Sequence, residues 1–256
     1  MAEQKSSDWL GLSGRVCVVT GGGGGIGRTT ALSFAQAGAR VAAIDLDERG
    51  LEVTREALAK LGTGHVTARC DTTNVESVAA ASATIEKSLG SCDVLVNTAA
   101  VLRPGALDSL TLAEWNAVLS VNLTGYFVCA QVFGRQMRTL GRGSLVHVAS
   151  IAGSNAQGQS GAYSVSKAGV IMLSRQLANE WGPHGIRSNV VSPGMVITPM
   201  SQAFYDTPGV TERRSAVVLA SACRRTWRMP SCSWRATVRP MSMARRSWSM
   251  AATPTC

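Results

Sequence analysis

The chain lacks any metal-ligand pattern. Cys17, Cys70, Cys92 and Cys129 are scattered through the body and read as small buried residues of a reducing compartment. The three histidines, His65, His147 and His184, have no triad or metal partner in sequence, so each reads as an ordinary surface or core residue. Met1 to Leu10 contains no apolar signal core, and no run approaches membrane-spanning length. A soluble, cytoplasmic protein with no membrane partner is expected. There is no internal repeat or low-complexity linker, and 256 residues fit one α/β domain that buries enough apolar surface to need no disulfide.

Acidic residues are missing from the C-terminal stretch, which is rich in Arg. Residues 218–256 hold seven Arg and no Asp or Glu, whereas the whole chain has 25 basic and 16 acidic residues. Without that stretch the net charge falls from +9 to +2, so the body carries no electrostatic signature of nucleic-acid binding. The same stretch holds three Cys, three Trp and four Met, and from Leu219 onward shows no period of 2 or 3.6.

The body, by contrast, is patterned. Arg15 to Thr20 is a short apolar run that opens into five glycines, then Ile26 and Gly27, then a helical pattern from Arg28 to Ala37 closed by Gly38. Strand, glycine turn and helix in this order make a pyrophosphate cradle: the glycines allow close approach, and the helix N-terminus offers unpaired N–H groups. A second strand, Val41 to Ile44, ends in Asp45. An acid there can bind ribose hydroxyls and repels a 2′-phosphate, which favours NAD over NADP. Arg28 is the one nearby base, and its expected place is the exposed side of the helix.

The alternation continues. Strands are expected over His65–Cys70 (ending at Asp71), Asp93–Asn97, Ser144–Ala149 and Arg187–Val191, with helices over Leu51–Leu61, Val75–Leu89, Thr111–Met137 and Tyr163–Trp181. Gly125 and Gly134 weaken the third of these helices. Near-continuous apolar strands alternating with helices indicate a parallel sheet covered on both faces. Ligands then sit beyond the strand carboxyl ends. The glycine turn, Asp45, Asp71, Asn97, Ser150 and Pro193–Gly194 all fall there. Asp45 and Asp71 could instead cap the helices that follow them.

Ser150 to Lys167 reads as a strand end, a small-residue loop and a helix start. Tyr163 and Lys167, four apart, share one helical face, which sets an ammonium near a phenol. A free tyrosine has a pKa of about 10, and bringing it near 7 takes roughly 4 kcal/mol of preferential phenolate stabilisation. A fixed cation can supply it. Taken singly, Asn122 reads as a helix-bend or interface residue and Ser150 as a strand cap.

Together these motifs resemble the short-chain dehydrogenases/reductases over about residues 12 to 215. Thr20-Gly21-x-x-x-Gly25-Ile26-Gly27 resembles the family's cofactor loop. Asp71 resembles its adenine-side aspartate, and Asn97-Thr98-Ala99-Ala100 its Asn-Asn-Ala-Gly segment. Asn122, Ser150, Tyr163 and Lys167 resemble its catalytic tetrad, and Pro193-Gly194 with Thr198 its nicotinamide-side loop. The resemblance implies a single Rossmann-type, doubly wound parallel sheet with helices on both faces. It also implies NAD as cofactor, an alcohol or ketone substrate, hydride transfer at a carbinol carbon and, if the C-terminus is native, a homodimer or homotetramer. Tyr163 would move the proton, Lys167 would lower its pKa and bind the nicotinamide ribose, Ser150 would hold the substrate oxygen, and Asn122 would organise water leading to Lys167. Residues 195–210 would form a lid, with Met195, Met200, Phe204 and Tyr205 making the pocket partly apolar.

The body is thus expected to span residues 1–217 and the aberrant basic tail 218–256, where the family's last helix and strand should be. Back-translated and read one base out of frame, with degenerate bases chosen freely, the tail from Arg224 can spell a family-like ending that includes Asp-Gly-Gly. A one-base slip near Val217 to Leu219 is the hypothesis. If the tail is real, the alternative is a catalytically impaired dinucleotide-binding protein whose basic tail contacts an acidic partner or nucleic acid. DNA sequencing across that junction is expected to reveal the slip; an intact mass equal to that of the written chain would refute it.

Overall fold

The computed structural model describes residues 8, 10–62, 64–194 and 196–202. The tail, its boundary, Met195 and residues 203–210 of the expected lid lie outside the described residues.

Six strands form one parallel sheet in the order β3-β2-β1-β4-β5-β6. They are β1 (Val16–Thr20), β2 (Arg40–Asp45), β3 (Val66–Arg69), β4 (Val94–Asn97), β5 (Gly143–Val148) and β6 (Ile186–Val191). The order reverses direction between β1 and β4, so the crevice beyond their carboxyl ends is the expected ligand site. The helices are α1 (Gly25–Gln36), α2 (Glu48–Ala59), α3 (Val75–Leu89), α4 (Leu112–Leu119), α5 (Gly125–Leu140) and α6 (Tyr163–Trp181).

Alternation along the strands feeds two cores. Val16, Val18, Ala42, Ile44 and Leu95 pack on one face with Ile85 of α3, Phe133 of α5 and Trp181 of α6. Cys17, Val19, Val41, Ala43 and Val96 pack on the other with Ala31 of α1 and Leu58 of α2. The four cysteines named above are buried and unbonded, as expected of small core residues. On β6 the residues Arg187, Asn189 and Val191 are exposed. Among the described residues no helix covers them.

The expected single helix over 111–137 is continuous but changes winding. Ser120–Thr124 between α4 and α5 is a π turn, a form often found at functional sites, and it carries Asn122. Gly125 and Gly134, taken as weak points, are close-approach sites. A Cβ at Gly125 would lie 2.9 Å from Thr72 Oγ1, and one at Gly134 would run into the Trp181 ring. Leu112–Leu140 is also long and apolar enough to cross a membrane, contrary to the expectation that no run is, yet half of its apolar window is buried in this core. That burial is the behaviour of a core helix.

Candidate active site

Thr20, buried at the end of β1, organises the glycine loop: its Oγ1 accepts the N–H groups of Thr98 at 3.1 Å and Ala99 at 3.2 Å. Thr98 Oγ1 in turn donates to Thr20 O. These ties draw the β4 end against the loop, so a Cβ at Gly21 would meet Ala99 N and Thr98 Oγ1 at 2.8 Å. Gly27 is packed directly on Gly21 O. Only glycine fits either position. Gly24, the α1 N-cap, brings no side-chain acceptor to the helix start, and nothing lies within 4 Å of where its Cβ would be. The start of α1, without a side-chain cap, lies at a cleft of about 490 Å³ that Gly21, Gly25, Ile26, Gly27, Asp45, Asp71 and Ala99 all line. This cradle fits a dinucleotide: uncapped donors at a helix end suit a pyrophosphate.

Asp45 and Asp71 do not cap helices. Asp47 caps α2 and Asn74 caps α3. Asp45 Oδ2 accepts from Gly23 N at 2.8 Å and Oδ1 from Asp47 N at 3.0 Å, which holds the carboxylate at the cleft. The Thr73 hydroxyl and N–H bonded to Asp71 hold its carboxyl below the usual range.

A second cavity of about 680 Å³ meets the first along Ile26, Thr98, Ala100, Thr198 and Met200, and Ser150, Tyr163, Lys167, Pro193 and Gly194 line it. Ser150 caps the short turn Ile151–Gly153 by accepting from Ala152 N at 3.1 Å. Acceptance leaves the hydroxyl proton available for donation into the cavity. Pro193 O fixes the neighbouring strand end by accepting from Ile151 N at 3.1 Å. Thr198 both lines the cavities and caps its own turn, with Ser201 N 3.3 Å from its Oγ1.

Tyr163 is half-buried at the first residue of α6, with the Lys167 ammonium 5.7 Å from its ring centroid. The lysine is 1% exposed. Its Nζ donates to Val148 O at 2.8 Å and to Tyr126 Oη at 3.3 Å, and Tyr126 Oη donates to the same carbonyl at 3.2 Å. Among the described residues no carboxylate pairs with it, and burial pushes its pKa down to about 7.

Two expected site residues lie outside both cavity linings, and the expected place of Arg28 is corrected. Asn97 lines neither cavity. It is fully buried, with Nδ2 3.3 Å from Tyr126 O and 3.1 Å from His147 Nδ1, so it is a strut between β4, β5 and α5 and makes no wall of the cofactor cleft. Asn122 is likewise buried and outside both linings: its side chain pairs with Val101 N and O at 2.8 and 3.0 Å and with Ser166 Oγ at 3.1 Å. Arg28 is not on the exposed side of α1. Its guanidinium turns back to Thr54 Oγ1 at 2.9 Å, Gly50 O at 3.1 Å and Gly23 O, clamping the glycine loop to α2. His147 is the core residue expected, with its pKa pushed down to about 4 by burial. Sequence reasoning missed Tyr126, which by spacing is one more core residue of a long helix, and the cavity-lining Gln157 and Gln159 in what reads as a small-residue loop.

Residues 15–209 match the family model described as short chain dehydrogenase. The chain belongs to the short-chain dehydrogenase/reductase family. The D-threitol dehydrogenase of Mycolicibacterium smegmatis is 38% identical over 208 residues, spanning 81% of this chain and 80% of that one. A solved structure of an NAD+-bound xylitol dehydrogenase is 30% identical, with a TM-score of 0.70 over 80% of this chain and 75% of that one. A gluconate 5-dehydrogenase from Burkholderia cenocepacia, in complex with NADP and tartrate, is also 30% identical, with a TM-score of 0.76 over 80% of each chain. The protein is therefore an oxidoreductase acting on CH–OH groups, of a family that binds NAD(P).

Lys167 generates a pH prediction. Its folded pKa of about 7 lies below the unfolded value of 10.5, so between these limits the unfolded chain binds more protons and stability rises with pH. Below about pH 7 the full penalty for charging the buried amine is present. Lys167→Met should remove this slope: its stability relative to wild type, from urea denaturation, should fall by a few kcal/mol between pH 7 and pH 10.

Proposed function

We propose that the protein is an NAD(H)-dependent dehydrogenase of secondary alcohols in which Tyr163 is the general acid/base. The observation that carries this reading is the convergence of Ser150, Tyr163 and Lys167 in one cavity that opens onto the dinucleotide cleft. When bound there, the nicotinamide would supply hydride acceptance or donation. Ser150 holds the substrate oxygen by donating its hydroxyl proton, a preorganised bond of the kind that is worth about 3 kcal/mol at developing charge. In oxidation Tyr163 takes the carbinol O–H proton while the carbon loses hydride; in reduction it returns the proton. The Lys167 ammonium favours the phenolate through its position behind the ring and, as the nearest cation, the nicotinamide ribose through hydrogen bonds. Asn122 acts at one remove, shaping the π turn and holding Val101 and Ser166.

Preference for NAD rests on two facts: the Asp45 carboxylate is held at the cleft, and the Arg28 Nε and Nη2 donors are committed to Thr54, Gly50 and Gly23. A 2′-phosphate would meet the anion, while the Arg28 guanidinium that also lines the cleft has two of its nitrogens already spent within the protein.

Steady-state kinetics of the full chain, followed by NADH absorbance with secondary alcohols, test both statements. Tyr163→Phe should lower kcat by about 10²- to 10⁴-fold while NADH binding, read by fluorescence, persists; undiminished turnover would overturn the role. Asp45→Ser should raise the ratio of kcat/KM with NADP to that with NAD at least about tenfold, and an unchanged ratio would remove Asp45 as the selector.

A further inference from the structure

The loop at residues 157–160 forms a wall of the second cavity that the proton-transfer reading does not use. Gln159 has φ of 62°, and among the described residues it is the one non-glycine with positive φ. That conformation costs on the order of 1 to 2 kcal/mol for a residue with a Cβ, and such strain persists only where the surroundings over-determine it. Here they do. Gly105 N donates to Gln159 O at 3.0 Å, Gly161 N donates to Gly105 O at 2.9 Å, and Ser160 Oγ lies 2.8 Å from Ser164 Oγ in the first turn of α6. The loop is thereby fixed to the helix that carries Tyr163 and Lys167.

Gln157 and Gln159 both line the cavity from exposed positions at its mouth, and among the described residues neither carboxamide has a hydrogen-bond partner within the protein, so a ligand hydroxyl would replace water there. A carboxamide offers two donors and an acceptor, which matches a hydroxyl group that must both give and receive. Leu102, Pro104, Ile151, Val196 and Met200 line the same cavity with apolar surface suited to C–H faces. Apart from Tyr163 and Lys167, no ionisable side chain among the described residues lines it, so a substrate carboxylate or phosphate finds no dedicated counter-charge.

We propose that Gln157 and Gln159 form a recognition site for a second hydroxyl of the substrate, making the protein a dehydrogenase of neutral vicinal diols and polyols. This rests on the alcohol-dehydrogenase reading above. One carbinol group meets Ser150 and Tyr163, and its neighbour's hydroxyl meets the carboxamides. The reacting carbon gives its hydrogen as hydride to NAD, its O–H proton goes to Tyr163, and the product is an α-hydroxyketone.

Cyclohexane-1,2-diol and cyclohexanol, which differ by one hydroxyl, are the probes, with wild type, Gln157→Leu and Gln159→Leu compared. Wild type should show kcat/KM at least about tenfold higher for the diol, since a site built to bond a hydroxyl discriminates against its absence. Each substitution should lower the diol value severalfold and leave the cyclohexanol value within about twofold. Equal losses on both substrates, or no loss on the diol, would overturn the proposal. Calorimetric titration of the NADH-loaded protein with each probe reads the same preference without turnover, and equal diol affinity in wild type and variants would also overturn it. Failure to oxidise even cyclohexanol while diol binding still depends on Gln159 would count against the dehydrogenase reading alone.

Discussion

A lysine ammonium set 1% exposed with only neutral oxygens for company is the constraint around which the site is built. Taking such a charge out of water is expensive unless hydrogen bonds replace the lost hydration, and the fold answers with a strand-end carbonyl and a phenol. Val148 can present its carbonyl because β5 ends there; Tyr126 can present its hydroxyl because α5 packs across that strand end. The first turns of α6 must then lie over both, which carries Tyr163 to the cavity wall. The same burial lowers the affinity of Lys167 for its proton to about neutral pH, so its charge is sensitive to whatever anion or hydroxyl enters beside it.

The dinucleotide cleft depends on a different device, close approach of main chain. Thr20 and Thr98 tie β1 to β4 beyond their last ladder bonds, and the loop between β1 and α1 survives that closeness only as glycine. Arg28 then fastens the loop from the other side to α2. A rigid, uncapped helix end results, already shaped for an anionic ligand before one arrives, which reduces the ordering needed on binding.

Much of this was legible in the chain. The strand-turn-helix alternation, the glycine run, Asp45 and the Tyr163–Lys167 spacing each follow from local rules of period and backbone freedom. Asn97 and Asn122 were legible as motif members but not as struts, because their partners, His147 and Tyr126 in one case and Val101 and Ser166 in the other, are 21 to 50 residues away. Arg28 was misplaced for the same reason: helical period sets a side chain's direction at its root, while a long flexible stem lets its tip follow carbonyls on a neighbouring element.

The sequence by itself determined the order of elements, the two faces of the sheet and the set of chemical groups at the strand ends, because these depend on periods of 2 and 3.6 and on glycine's backbone freedom. Only the tertiary structure decided which polar groups face a cavity and which are consumed in holding it open. Long-range hydrogen bonds make that division, and they pair residues through space that no local pattern connects. Thus Asn97 went into the core, Arg28 onto the loop it braces, and Gln159 to the cavity wall in a strained conformation that the bridge to Gly105 sustains.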